Sequence, residues 1–138
     1  MRPWLFAPVL ALTALLQGCA QPPPASSARL FQADLSGGAK KCQAPKLAPA
    51  AGKTADAPVS VGNDGGWCGI IVSNGGRPFG AGLLVTQPSH GKVLIHTVGD
   101  DTRIDYTPDV RYSGSDAFTV RLIPGDATIR ANVTVGPA

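Results

Sequence analysis

The sequence predicts an all-β sandwich of about seven short antiparallel strands, placed behind a secretory leader and a flexible tether. Three observations carry this expectation. From about Ala57 onward, apolar residues recur with a period of two. Clusters of Gly, Asn, Asp and Pro interrupt that stretch at short intervals. No segment downstream of the leader shows the periodicity of a convincing helix.

The leader comes first. "MRPWLFAPVLALTALLQGC" carries one cation, Arg2, followed by an uncharged, largely apolar run from Trp4 to Leu16. A helix needs about 20 apolar residues to span a bilayer, so this run is too short to cross one. It has the length of the apolar region of a secretory signal. Its end, Leu16-Gln17-Gly18-Cys19, resembles the lipobox of bacterial lipoproteins. In that family a small residue such as Gly18 precedes the cut, and the following thiol becomes a diacylglyceryl thioether. The resemblance implies a signal peptide over 1–18 and lipidation of Cys19. It also implies that the chain is anchored to a membrane through two or three acyl chains rather than spanning it. Ala20 stands where enteric-type lipoproteins of the inner membrane carry Asp, so the resemblance favours the outer membrane.

Removing the leader takes the formal net charge from +3 to +2, because Arg2 leaves with it. A balance so small and so scattered gives no nucleic-acid footprint. Every acidic residue is Asp. Residues 19–39 open on "AQPPPASSAR", the Pro/Ser/Ala composition of an extended tether. Residues 40–57 are rich in Ala, Pro and Lys and lack a clear period, yet they contain Cys42, which is expected to pin them to the domain. Lys40, Lys41, Lys46 and Lys53 read as solvated linker charges or as contacts to anionic envelope surfaces.

The count of three cysteines is odd, but lipidation of Cys19 leaves Cys42 and Cys68 as a potential pair. A disulfide in an oxidising compartment is one reading, and a metal or redox pair is the other. The second lacks C-x-x-C spacing and has only His90 and His96 as further soft ligands.

Over 58–138 the strand candidates are "PVSV", "CGIIVS", "GLLVTQ", "KVLIHTV", "TRIDYT", "AFTVRLI" and "ATIRANVTV". The last alternates Ala127, Ile129, Ala131, Val133 and Val135 with polar residues, the pattern of a strand with one wet face. Turn signals at 63–66, 74–76, 88–91, 99–101 and 124–126 separate the candidates.

The run from Val85 to Val135 carries Gln87, Pro88, His90 and Gly91, then Tyr106-Thr107-Pro108, then Tyr112, Gly114, Asp116 and Phe118. In this it resembles the second half of bacterial immunoglobulin-like and cadherin-like envelope domains. The resemblance implies an immunoglobulin-like sandwich and is weak for function. The residues themselves argue for a structural corner. Pro108 ends the strand that Tyr106 anchors, Gly114 permits a turn, and Asp116 is placed to accept backbone N–H groups. Tyr112 is expected to cover the open end with its ring, and Phe118 to enter the core.

A calcium site is the competing reading of this stretch, but the chain has no D-x-D cluster, so no metal and no cofactor is expected. Ser89-His90 are neighbours on a turn and do not form a triad, and two spaced carboxylates in a cleft are not evident. The expectation is therefore a non-catalytic binding, adhesion or assembly module whose partner is an envelope protein or glycan. The alternative is a small envelope enzyme or enzyme inhibitor that uses the Trp67 face. If Cys68 points inward, alternation turns Trp67 outward, so a contact site at Trp67, Arg77 and Phe79 is one expectation. The other is that Trp67 covers a sheet edge or residues 40–57.

Overall fold

The computed structural model describes residues 30–138. The leader and Cys19 lie outside the described residues. A single helical turn, α1 (Gln32–Leu35), comes first and is followed by nine strands. These are β1 (Cys42–Gln43), β2 (Lys46–Leu47), β3 (Thr54–Asn63), β4 (Cys68–Val72), β5 (Ala81–Thr86), β6 (Gly91–Val98), β7 (Asp101–Pro108), β8 (Gly114–Ile123) and β9 (Ala127–Pro137).

The strands form two stacked sheets, one ordered β1-β3-β9-β8-β5 and the other β2-β4-β7-β6. This is an all-β sandwich, and each of the seven strand candidates lies on one of the long strands. Two pairings depart from the antiparallel expectation. β3 runs parallel to β9 over ten residue pairs, from Thr54↔Thr128 to Asn63↔Pro137, and β2 runs parallel to β4. The polypeptide enters β3 from the same end of the sheet at which β9 begins, which alternation alone does not reveal.

The inner faces supply the core. β3 contributes Val59 and Val61, β9 contributes Ile129, Ala131 and Val133, and β8 contributes Phe118, Val120 and Leu122. From the other sheet come Cys68, Ile70 and Val72 on β4 and Ile104 and Tyr106 on β7. The period of two appears directly as alternating burial along β8 and β9.

The boundary expected near residue 58 lies earlier. Residues 40–57 are pinned through Cys42 as expected, but they also hold β1, β2 and the start of β3 and so belong to the sheets. The chain passes from one sheet to the other between β1 and β2, with Pro45 between them. Residues 31–39, expected to belong to the tether, lie against the outer face of the β2-β4-β7-β6 sheet. This strap replaces the helix-free tether with one ordered turn, α1.

Candidate functional site

The densest group of charged side chains sits on that outer face. On β7, Arg103 and Asp105 are two residues apart, so both point away from the core between the inward residues Ile104 and Tyr106. Arg103 grips Asp105 with two bonds, Nε to Oδ1 at 2.7 Å and Nη2 to Oδ2 at 2.9 Å. His96 stands opposite Arg103 on β6, and its Nε2 lies 2.8 Å from Asp105 Oδ2. Gly69 on β4 stands opposite Asp105. A Cβ there would lie 2.6 Å from Asp105 Oδ1 and 2.9 Å from Arg103 Cδ. The ion pair therefore lies across the bare backbone of β4, and a side chain at Gly69 would lift it off.

The strap closes over this pair. Arg103 Nη1 donates to the Asp34 carbonyl, and the guanidinium carbon sits 3.8 Å from the Trp67 ring centroid. Trp67 Nε1 donates to the Ser36 carbonyl at 3.0 Å. The Trp67 N–H donates to Gly37 O, and Ala39 N donates back to Trp67 O, so the strap adds a short parallel bridge beside the indole. Gly37 supplies a φ of +80° that favours glycine, and a Cβ at Gly37 or Gly38 would make only ordinary contact with the ring. Asp64 then accepts from Lys40 N and Gly66 N, and those bonds hold its carboxyl below the usual carboxylate range.

Trp67 does point away from the core while Cys68 points in, and its cover is the Ser36–Gly38 strap rather than residues 40–57. Arg77 and Phe79 do not join it. They follow the far end of β4, where Arg77 is exposed and Phe79 is buried in the core with its N–H bonded to Thr102 Oγ1. A strand of this length holds the two groups well over 10 Å apart. The three residues do not form one contact site.

The second group is the corner. Asp116, buried at the start of β8, accepts from Ser89 N, His90 N and Ala117 N at 2.9 Å each, and from the Tyr106 hydroxyl at 2.8 Å. Burial alone would raise its carboxyl, but these donors outweigh burial and hold it below the usual range. Burial, and then the Asp116 carboxylate, push the Tyr106 phenol well above its ordinary value. Tyr106 stacks on Phe118 at 5.8 Å, and Tyr112 stacks on His90 at 4.0 Å. Tyr112 also donates to Ser115 O at 2.6 Å and closes the turn at Gly114. At Gly114 φ is +136°, and a Cβ would lie 2.9 Å from the Tyr112 hydroxyl oxygen. Asn63 Nδ2 fastens the corner to β3 through Asp109 O and Tyr112 O.

Cys42 and Cys68 form a disulfide with Cα atoms 5.3 Å apart. Since β1 and β4 belong to different sheets, the bond links one sheet to the other. Among the described residues, no group of three or more His, Cys, Asp or Glu side chains is arranged to hold a metal ion. No buried side-chain nitrogen or oxygen among them lacks a hydrogen-bond partner.

Sequence reasoning weighed His96 and Asp105 only as metal ligands, and did not single out Arg103 or Asp34 or bring the four together. The signal was present in "TRIDYT", where opposite charges two apart on a strand share a face, and in "CGIIVS", where a mid-strand glycine marks a close approach. No protein-family model, no curated protein and no solved structure matches this chain.

Proposed function

We propose that this chain is a lipid-anchored protein of the bacterial envelope, held at the outer membrane through Cys19, whose sandwich is a non-catalytic module for binding or assembly. The observation that carries the second part is the closed state of both charged clusters. Asp116 has its oxygens engaged by four donors, and Arg103 and Asp105 are matched to each other, to His96 and to the strap. Groups engaged in this way stabilise a fold and offer a substrate no unoccupied acid or base. Recognition then falls to surfaces, with an envelope protein or glycan as the partner class.

The immunoglobulin-like reading of the sandwich draws support from a disulfide that joins the two sheets and from a tyrosine hydroxyl that ties a corner. The lipid anchor rests on Leu16-Gln17-Gly18-Cys19 at the end of an apolar leader. The test is expression of the full chain with its own leader in a bacterium that has two membranes. Mass spectrometry of the N-terminal peptide is expected to show acyl chains on Cys19, and Cys19→Ser is expected to leave an uncleaved or mislocalised precursor. Normal processing and membrane retention of that variant would overturn the anchor. Crosslinking in intact envelopes followed by capture would then identify the partner.

A further inference from the structure

The strap is amphipathic in an unusual sense. Its three large apolar side chains face solvent, with Leu30 at 60%, Phe31 at 62% and Leu35 at 61% exposure. Its one carboxylate is turned inward. The Asp34 side chain is only 15% exposed, accepts from Phe31 N at 3.0 Å and lies 4.0 Å from His96 Nδ1. A strap built only to cover a sheet in water would put Asp34 outside and the leucines underneath.

The sheet beside the strap continues the pattern. Leu94 and Lys92 alternate with inward residues on β6, so they share the outer face with His96, and Leu94 is 59% exposed. Lys46 stands in the row of Ile71, Arg103 and His96. The acids of this face are matched to cations: Asp101 to Lys46 at 2.9 Å, and Asp105 to Arg103. Lys92 lies on this face and Lys40 follows the strap, offset in turn by Asp34 and Asp64, so the surface combines apolar side chains with little net charge.

We infer that this face docks on a lipid surface, with Leu30, Phe31 and Leu35 entering the boundary between headgroups and acyl chains. The inference rests on the lipid-anchor reading. Eleven residues, 19–29, separate the acylated cysteine from Leu30. A chain of that length reaches at most about 40 Å in any conformation, so the strap is confined to the neighbourhood of the bilayer at millimolar effective concentration. At such a concentration even a weak interfacial affinity is populated. The affinity comes from the apolar side chains, with Lys40 and Lys92 placed to meet headgroup phosphates. Because Arg103 and Trp67 fasten the strap to β4 and β7, insertion also orients the sandwich. The β2-β4-β7-β6 sheet turns toward the membrane, and the outer face of the other sheet turns away from it.

The test uses the full-length acylated chain in vesicles of phosphatidylethanolamine and phosphatidylglycerol that contain a lipid with a photoreactive diazirine in its acyl chain. Trypsin separates the acylated peptide 19–29 from Leu30–Lys40, which carries all three apolar residues. Photoadducts are expected to concentrate on Leu30–Lys40. They should fall about tenfold or more in Leu30→Ser/Phe31→Ser/Leu35→Ser, whose acyl mass, vesicle sedimentation and melting temperature stay unchanged because the three side chains are mostly exposed and outside the core. Equal labelling of that peptide in both proteins, or none in either, while both remain anchored, would overturn the docking. So would strap-to-strap crosslinks between chains formed by an added bifunctional amine-reactive reagent, which would assign the face to a second copy. If the purified chain carries no acyl mass, the anchor reading fails by itself. Vesicle binding of that chain that the triple variant loses would still support docking, and its absence would overturn it.

Discussion

Among the described residues, Asp116 is the side chain that accepts the most hydrogen bonds. Three backbone donors and one phenol converge on it. Removing the carboxylate leaves these N–H groups without a partner at a partly buried corner. Asp116→Ala is therefore expected to cost about 2–4 kcal/mol, more than the loss of a single cap, and chemical denaturation would measure it. Tyr106→Ala should cost about 3–5 kcal/mol because it also empties a core site. Neither loss should change with calcium, since the corner contains no cation cage. A calcium-dependent rise in melting temperature confined to proteins that keep Asp116 would contradict this reading. The same residue sets an acid limb. Its carboxyl is held below the usual range in the folded state, so its contribution is fully present above the unfolded carboxylate value. That contribution is lost as pH falls through the folded value. Asp116→Asn should therefore flatten stability against pH below about 4, measured as denaturation midpoints at successive pH values.

At the scale of elements, the strands and the corner were legible in the sequence, whereas the strap and the parallel pairing were not. Alternation is a local signal, so "ATIRANVTV" and "AFTVRLI" announce their own inward faces. The β3–β9 pairing joins residues more than seventy positions apart, and nothing local encodes its direction. The strap is harder still, because its apolar residues do not mark a buried face. Arg103 joins the Trp67 and Asp64 bonds in holding it, and its importance emerges only when Gly69, Trp67 and Asp34 meet in space. Arg103→Met should leave Asp105 buried beside His96 alone and cost about 3–5 kcal/mol. Arg103→Met/Asp105→Leu should recover much of that stability, because no unmatched charge remains. The strap should stay loose in both variants. Faster amide exchange over residues 34–39 in both, with global stability recovered only in the second, is the expected pattern. Protected strap amides in either would mean that the Trp67 and Asp64 bonds hold the strap without Arg103.

At the scale of the whole molecule, the question is what keeps two sheets together when their edge strands are so short. β1 and β2 are two residues each, yet they end one edge of each sheet. Two backbone pairs per strand are too few to hold an edge by themselves, and β1 is fixed by covalent chemistry as well. The Cys42–Cys68 bond carries β1 across the core to β4, at a sequence separation of 26 residues. In the chain-entropy model a loop of that size stabilises the fold by about 3–4 kcal/mol. Replacing both cysteines with alanine should lower stability by about that amount and expose the β3 edge that β1 covers. The central pairings β3–β9, β8–β9 and β6–β7 contain no cysteine and should persist. The expected result is thus a lower denaturation midpoint with a largely intact sandwich. Amide exchange should rise first over residues 40–47 and at Gly62, whose N–H donates to Lys41 O beside β1. Uniform loss of protection across β8 and β9 would instead show that the disulfide holds the two sheets together throughout, and that the core alone does not.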